Sequence, residues 1–186
     1  MTDKFYIQKV IEGHAESFRF LIDRYKDKAF SVAYSVLRNK TIAEDAVQES
    51  FIKAFNKIST FRGDAAFSTW LMRIVVNESI KELRRRKMEI EGQKNIANID
   101  ELNINNSVKL LKEEEQKTFI EKTLKKMPQQ EALTLQLFYI DEMSLKEIVD
   151  VMQIKLGHIK VLLFRGRKRF YGLLKTELKH ELTDII

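Results

Sequence analysis

The sequence predicts an all-α protein of two small helical domains joined by a flexible linker, the second domain being a helix-turn-helix. A single proline and six glycines among 186 residues leave few obligatory chain breaks. Apolar residues recur at spacings of three and four through most of the chain, as they do along one face of a helix. One stretch in the middle, 89–106, has no sustained apolar face and is rich in asparagine, which indicates a linker.

The first domain is predicted over residues 1–88 and includes a long helix. Apolar side chains from Ser17 to Val36 recur at helical spacing and form one continuous stripe. A break follows at 38–40, and Thr41 with Glu44 three residues later has the pattern of a capping box that opens a second helix. The side chains predicted to face the core from this second helix are Ala46, Val47, Phe51, Ile52, Phe55 and Ile58.

A short stretch, FRGDAAFSTW at 61–70, separates the second helix from a third. Asp64 is predicted to cap a helix that starts at Ala65. Phe67 and Trp70 follow helical spacing, which favours a place in the core for both rings. The third helix is predicted to end in a basic run, where cations also complement the helix dipole.

The second domain is predicted over 107–186, after an acidic linker at 89–106 that carries four acidic residues and one lysine. One helix runs through LLKEEEQKTFIEKTLKKM, and Pro128 begins the next. Ser144 and Glu147 form another capping-box pattern, and a short turn then leads to a helix of apolar and basic residues. Two helices joined by a tight turn indicate a helix-turn-helix, although a helical hairpin with a basic outer helix has the same pattern.

The distribution of charge indicates a polyanionic partner. The chain has a net charge of +6, and all of that surplus falls on residues 1–88, with 17 lysines and arginines against 11 acidic residues. Two patches contain no acidic residue: RRRK at 84–87, and the window 155–169 with six cations. A single basic run is often only a solvated helix face, but two separate patches favour nucleic acid.

The residue types needed for common enzyme sites are missing or scattered. There is no cysteine, and the three histidines lie far apart with no neighbour at metal-ligand spacing. The sequence has no glycine-rich phosphate loop and no nucleophile elbow. We therefore predict a protein that is not an enzyme, with no metal, no cofactor and no small-molecule substrate. The lack of a long apolar window, of a signal-peptide core and of cysteine predicts a cytoplasmic location.

Three blocks of the sequence closely resemble bacterial sigma factors. They are DAVQESFIKAF at 45–55, FRGDAAFSTWLMRIVVN at 61–77, and the stretch 127–170. In their order and their distribution along the chain, the blocks resemble those of the small extracytoplasmic-function (ECF) sigma factors. This type of the sigma-70 family keeps only regions two and four. The resemblance implies a non-catalytic subunit that binds core RNA polymerase, recognises two promoter elements and helps to open the duplex. It implies that 1–88 is region two, which binds polymerase and the minus-ten element, and that 107–186 is region four, which binds the minus-35 element.

The resemblance also implies which residues of the first domain carry each role. Asp45, Gln48 and Glu49 would dock on core polymerase, and at i, i+3 and i+4 they share one polar helix face. A base flipped from the minus-ten element would stack on an aromatic ring of the FRGD loop, residues 61–64, and form a hydrogen bond with a side-chain amide. The residues implied are Phe61, Arg62 and Asn77 for the flipped base and, for phosphates, Lys81, Arg84, Arg85, Arg86 and Lys87.

The recognition helix of the second domain departs from the family pattern. That pattern is G-T-V-K-S-R-L-x-R-A-R, whereas this chain reads GHIKVLLFRGR at 157–167. Val161 and Leu162 replace a serine and an arginine at the groove-facing end, which implies a weakly read minus-35 element or a surface for a protein partner. The residues implied at the minus-35 element are His158, Lys160, Val161, Phe164, Arg165, Arg167 and Lys168. The side chains predicted to lie in the core are Leu156, Ile159, Leu163, Phe170 and Leu174.

Three functions stay open from the sequence. The first is a sigma factor whose partners are core RNA polymerase, promoter DNA and, as is common in the family, an anti-sigma factor. The second is an interaction protein with a sigma-like fold that occupies polymerase as a decoy without reading promoters. The third is a one-component regulator that binds duplex DNA through its helix-turn-helix and needs no polymerase.

Overall fold

The computed structural model describes residues 2–92, 119–120 and 122–183, and it confirms the all-α class. Within these residues every regular element is helical. The helices are α1 (Asp3–Ile11), α2 (Phe18–Leu37), α3 (Lys40–Lys57), α4 (Phe67–Gly92), α5 (Gln129–Leu135), α6 (Leu145–Met152) and α7 (Leu156–Thr183). Short 3-10 turns lie at Ala15–Ser17 and Ile58–Thr60, and α5 continues as a π-helical turn over Gln136–Ile140.

The start of α3 differs from the predicted capping box. Arg38 takes a left-handed conformation with φ of 55° and ends α2. Asn39 is extended, and its side-chain oxygen accepts a hydrogen bond of 3.1 Å from the backbone N–H of Ile42. Asn39 is therefore the N-cap, and Thr41 lies inside the helix. The amide oxygen of Asn39, two positions before Thr41, already accepts the hydrogen bond that an N-cap side chain accepts from the first turn.

The start of α4 also differs from prediction, since the helix begins at Phe67 and not at Ala65. Gly63 has φ of +78°, which a residue with a side chain adopts only at a cost, and 63–65 form a bend. Asp64 lies in this bend and is exposed, so the predicted cap is wrong. The rings of Phe61 and Phe67, which lie on either side of this bend, contact each other.

The core of the first module (residues 2–92) lies between α2, α3 and α4, with α1 against α2. Leu21, Leu71, Met72 and Val75 are fully buried there. Two predicted core residues of α3 are not buried: the side chain of Ile52 is 56% exposed, and that of Phe55 is 37% exposed at the edge of the core, where its ring contacts Phe18. The buried stripe of α3 follows Ile42, Ala43, Ala46, Val47, Ser50, Phe51 and Ala54, and Ile58 is buried in the turn after the helix.

The second module (the described residues from 119 onward) contains the predicted helix-turn-helix. Helix α6 opens with the predicted capping box between Ser144 and Glu147, and it ends at Gln153 in the left-handed region. Helix α7 follows after a short turn. The two helices bury Ile148 and Val151 against Ile159 and other apolar residues of the core.

Two details of α7 explain how it is seated. A Cβ on Gly166 would lie 3.1 Å from the side chain of Leu135, so glycine permits the close approach of α5 and α7. Arg169 donates a 2.9 Å hydrogen bond to the buried carboxylate of Glu131 on α5. Leu156, predicted in the core, is 45% exposed because it is the first residue of the helix and precedes the buried stripe.

Two predicted segments lie largely or partly outside the described residues. Of the predicted acidic linker, 89–92 continue α4 and the rest is not described. Of the helix predicted through LLKEEEQKTFIEKTLKKM, the described residues 119, 120 and 122–125 are helical. The two modules contact each other, with α2 against α5 and α4 against α6.

We expect Ser144→Ala to lower the free energy of unfolding by about 1 kcal/mol, because the capping box of α6 loses its side-chain acceptor. Urea denaturation measures this. Ser59→Ala, an exposed serine in the 3-10 turn before the FRGD loop, is the control and should shift stability by less than about 0.5 kcal/mol. Equal stability of the two variants would contradict the role of the cap.

Candidate nucleic-acid interface

The polar face of α3 is fully available to a partner. Asp45, Gln48 and Glu49 are exposed, as the sequence predicts for a docking face. Glu49 lies 3.5 Å from the ammonium of Lys53, which also pairs with Glu78 on α4. This chain of charges links the polar face of α3 to α4.

Ile52 extends the same face by one turn and was missed as a surface residue. It lies at i+7 from Asp45, and the positions i, i+3, i+4 and i+7 line up along a helix. The spacing was visible in the sequence, but isoleucine in an amphipathic segment is normally assigned to the core. The face therefore combines three polar side chains with one exposed apolar side chain.

The FRGD loop presents an aromatic ring that is only partly buried. The ring of Phe61 meets that of Phe67 edge-on, with centroids 5.6 Å apart, and lies 5.5 Å from that of Trp70. Phe67 is buried, Trp70 is half-buried, and Arg62 is exposed next to Gly63. One part of the Phe61 ring is thus held by the aromatic cluster, and the remainder is accessible.

Asn77, Lys81 and Arg84 form an exposed row on α4. They are spaced by four and three residues, so they lie on one side of the helix. An amide can bond to a base edge, and the two cations can hold phosphates. The row begins on the helix that carries Phe67 and Trp70, which connects it to the FRGD loop.

Two arginines of the basic run are already bound to acids of the same helix. Glu82 accepts hydrogen bonds from the guanidinium of Arg85 at 2.9 and 2.7 Å and from Nε of Arg86 at 2.9 Å. Arg85 also pairs with Glu89. The hydrogen bond from Arg85 is the main cause that lowers the pKa of Glu82 to about 2. Arg85 and Arg86 must exchange these partners to bind a phosphate, and the sequence prediction missed this role of Glu82.

The outer face of α7 presents all seven residues predicted at the minus-35 element. The two apolar side chains among them, Phe164 and Val161, are 71% and 43% exposed. Arg167 lies over the ring of Tyr139, with 5.8 Å from Cζ to the ring centroid. All seven are exposed: His158, Lys160, Val161, Phe164, Arg165, Arg167 and Lys168.

The departure from the family pattern on α7 is smaller than the sequence suggested. Leu162 is only 6% exposed and packs in the core, so it does not take a groove-facing place. Val161 is the one of the two replacements that lies on the exposed face. The prediction that Leu162 lies at the groove-facing end is therefore wrong, and the exposed side of α7 keeps its cations.

The predicted residues form three separate faces: α3, the FRGD loop with α4, and α7.

Among the described residues, no group of three histidine, aspartate or glutamate side chains is placed to hold a metal ion. Within the same part of the chain, no helix is both long and apolar enough to cross a membrane.

Comparison with known proteins matches both modules to one family. The family model for Sigma-70 region 2 matches residues 21–89, and that for Sigma-70 region 4 matches 120–170. The chain belongs to the sigma-70 family. It is 33% identical to the ECF RNA polymerase sigma factor SigW of Bacillus subtilis (strain 168), over 90% of this chain and 94% of SigW. It is 30% identical to the ECF RNA polymerase sigma-E factor of Escherichia coli (strain K12), over 90% and 92% of the two chains.

Two solved structures share the fold. One is the sigma factor RpoE in complex with the anti-sigma factor NepR from Bartonella quintana, with a TM-score of 0.72, 22% identity, and coverage of 86% of this chain and 98% of RpoE. Another is CnrH in complex with the cytosolic domain of CnrY, with a TM-score of 0.67, 21% identity, and coverage of 94% and 97%.

We expect Glu82→Gln to raise the affinity of this sigma factor for non-specific duplex DNA about two- to five-fold, because it weakens the ion pair of Arg86 and leaves Arg85 with Glu89 as its one acidic partner on the helix. Fluorescence anisotropy over a salt series measures this, and the salt dependence should steepen by about one to two phosphate contacts.

Glu44→Gln is the matched control, since it removes the same charge from an exposed position on α3. An equal gain in affinity for both variants would show that only the net charge matters, and it would contradict the competition between Glu82 and DNA phosphates.

Proposed function

We propose that this sigma factor binds core RNA polymerase and directs promoter recognition, DNA opening and the initiation of transcription at a specific set of promoters. This proposal rests on the match of both modules, in order, to regions 2 and 4. The fold also leaves the three candidate faces exposed. In this proposal the protein is a non-catalytic subunit that acts in the cytoplasm, where it meets polymerase and DNA.

The face of α3 is the proposed contact with core polymerase. Its polar side chains do not take part in the core, and Lys53 restricts Glu49 through an ion pair of 3.5 Å. Restricting a side chain before binding reduces the entropy that binding must offset. Ile52, which lies exposed beside these residues, adds an apolar contact of the kind that interfaces concentrate at their centre.

The FRGD loop is the proposed site of base capture in the minus-ten element. Extracting a base from the duplex costs a few kcal/mol, and stacking on an aromatic ring returns roughly 1–3 kcal/mol. Phe61 suits this role because Phe67 and Trp70 hold its ring in place while part of it stays accessible. Arg62 is exposed beside it, and Asn77 offers an amide for the base edge.

The cations of α4 and α7 are proposed to hold the DNA backbone. Lys81, Arg84 and Lys87 are exposed on α4, and their contribution should be salt-dependent and independent of sequence. On α7, the exposed side chains of Val161 and Phe164 suit apolar contact with thymine methyl groups in the major groove. We therefore expect a minus-35 element that is read through shape and apolar contacts as well as hydrogen bonds.

The division of labour in this proposal follows the two modules. Residues 1–88 act as region 2, 89–106 connect the modules, and 107–186 act as region 4. An anti-sigma factor is a further proposed partner, supported by the likeness to RpoE, which was solved in complex with the anti-sigma factor NepR. The exposed apolar side chains of the second module, such as Tyr139 and Ile140, are suitable contacts for such a partner.

Run-off transcription from a pool of genomic fragments tests the function. With core polymerase and this protein, we expect transcripts with defined 5′ ends at a small number of promoters. Binding to polymerase without such transcripts would favour a decoy. Specific binding to duplex without polymerase would favour a one-component regulator.

We expect Gln48→Ala combined with Glu49→Arg to weaken binding to core polymerase at least about ten-fold, because the change removes one hydrogen-bonding group and reverses a charge at the proposed interface. Surface plasmon resonance with immobilised polymerase measures this. The control is Gln8→Ala combined with Glu16→Arg, which makes the same changes at exposed positions away from α3. Unchanged affinity of the α3 variant would exclude this face as the docking site.

We expect Phe61→Leu to reduce open-complex formation on linear promoter DNA about ten-fold, since leucine keeps apolar packing against Phe67 but offers no ring for stacking. Fluorescence of a 2-aminopurine probe in the minus-ten element reports opening. Phe20→Leu, an exposed aromatic residue of α2, is the control. Normal opening by Phe61→Leu, with polymerase binding intact, would show that the loop does not capture the base by stacking.

A further inference from the structure

A cavity of about 430 Å³ lies between α2 and the second module of this sigma factor. The first module lines it with side chains of α2 and with Lys40, the first residue of α3. The second module lines it with Leu124, Lys125 and Gln136 among others. The volume falls in the range of cavities that hold small-molecule ligands. The faces proposed for polymerase and DNA include none of these residues, so the proposed function gives the cavity no role.

The cavity carries a surplus of positive charge. Three of its lining side chains are cations, namely Arg38, Lys40 and Lys125. Asp27, which is exposed, is the one acid in the described part of the lining. Lys40 lies 4.0 Å from Glu44, but this pair is on the surface and therefore weak. Lys40 also stands at the start of α3, where the helix dipole favours an anion. These charges suit an anionic ligand.

Arg38 lacks both a counter-charge and one hydrogen-bond acceptor. Its guanidinium donates to the backbone oxygen of Met127, but its Nε is buried without a hydrogen-bond partner. In the part of the chain that the structure describes, no carboxylate pairs with it. Burial accordingly lowers the pKa of Arg38. A phosphate oxygen would supply the acceptor and the negative charge together.

Two stacked aromatic rings line the cavity beside these cations. The rings of Phe30 and Tyr34 have centroids 5.8 Å apart and planes 13° apart, and both are only partly buried. Nζ of Lys125 lies 4.7 Å from the centroid of the Tyr34 ring. A planar ligand ring can pack against such a pair. Ser31 accepts a hydrogen bond from Gln136, so its hydroxyl can still donate to a ligand.

The rings and the arginine follow one line along α2. Phe30, Tyr34 and Arg38 are spaced by four residues each, so they lie on the same side of the helix. Eight residues of helix rise about 12 Å, which separates a site for a ring from a site for a phosphate. Asp27 precedes Phe30 and is therefore at the end away from Arg38, where its carboxylate can accept from an amino group of a base.

We propose that this cavity binds a small anion with a planar ring, of the purine nucleoside monophosphate class. Arg38 and Lys40 hold the phosphate, and the base packs against Phe30 and Tyr34 with Lys125 beside it. The nucleotide is a bound ligand and not a substrate. Its binding requires neither polymerase nor promoter DNA, so this proposal is independent of the proposed function.

Isothermal titration calorimetry with the full chain, in the absence of polymerase and DNA, tests the site. The probes are adenosine monophosphate, guanosine monophosphate, adenosine and inorganic phosphate. We expect at least one of the nucleotides to bind about ten-fold tighter than adenosine and than phosphate, because only a nucleotide occupies both halves of the cavity. Equal affinity for the nucleotides and inorganic phosphate would overturn the proposal.

Arg38→Gln should weaken the binding of nucleotide and of phosphate about ten-fold, because it removes a charge-assisted hydrogen bond. Lys125→Gln changes an exposed side chain and should weaken nucleotide binding about three-fold, which keeps the test valid if Arg38→Gln is unstable. Lys146→Gln, an exposed lysine of α6 outside the lining, is the matched control and should leave both affinities unchanged. Full nucleotide affinity in Arg38→Gln and in Lys125→Gln would exclude this cavity as the site.

Phe30→Leu separates the ring from the phosphate. It should weaken nucleotide binding about ten-fold and leave phosphate binding unchanged, because leucine offers no ring for the base. Phe61→Leu tests whether the nucleotide binds at the FRGD loop instead, and it should leave nucleotide affinity unchanged. A loss of affinity in Phe61→Leu and none in Phe30→Leu would assign the nucleotide to the loop and overturn the proposal. A failure of run-off transcription would overturn the proposed function and leave these affinities intact.

Discussion

Burial of one side of α4 against α2 and α3 is the constraint on which the rest of the first module depends. Leu71, Met72 and Val75 leave no exposed surface, so the rotation of α4 about its own axis is fixed by packing. That rotation turns Asn77 outward, and it places Phe67 where it can hold the ring of Phe61. The proposed DNA-contacting residues are thus placed by a core in which they take no part.

Some surface cations already form ion pairs with acidic residues. The number of lysines and arginines therefore overstates how many positive charges can bind DNA phosphates without giving up a partner. Glu82 occupies Arg85 and Arg86, whereas α7 carries a run without acidic residues in its first turns. In the proposed function, the first module would therefore meet phosphates partly through exchange of ion pairs, and the second through exposed cations. Such exchange lowers the affinity for arbitrary duplex and makes it sensitive to salt.

Sequence patterns predicted α2, α3, the helix-turn-helix and the capping box at Ser144, because these depend on periodicity and on local hydrogen bonds. The same patterns wrongly placed Ile52 in the core and Leu162 on the surface. On a helix, neighbouring positions can belong to the buried face and the exposed face, so an error of one residue reverses the assignment. The contact between Thr69 and Glu147 could not be predicted, because it joins two modules through side chains 78 positions apart. The pairing of Glu82 was visible at i+3 and i+4, but only geometry shows which partners it takes.

Chemical probing of promoter DNA bound to polymerase and this protein shows whether one chain uses two separated faces on one promoter. Permanganate reactivity and hydroxyl-radical footprinting on the same fragment report strand opening and backbone protection. We expect reactive thymines at the minus-ten element together with protection of the upstream minus-35 element, only when polymerase is present. Opening without upstream protection, or protection by the protein alone, would contradict it.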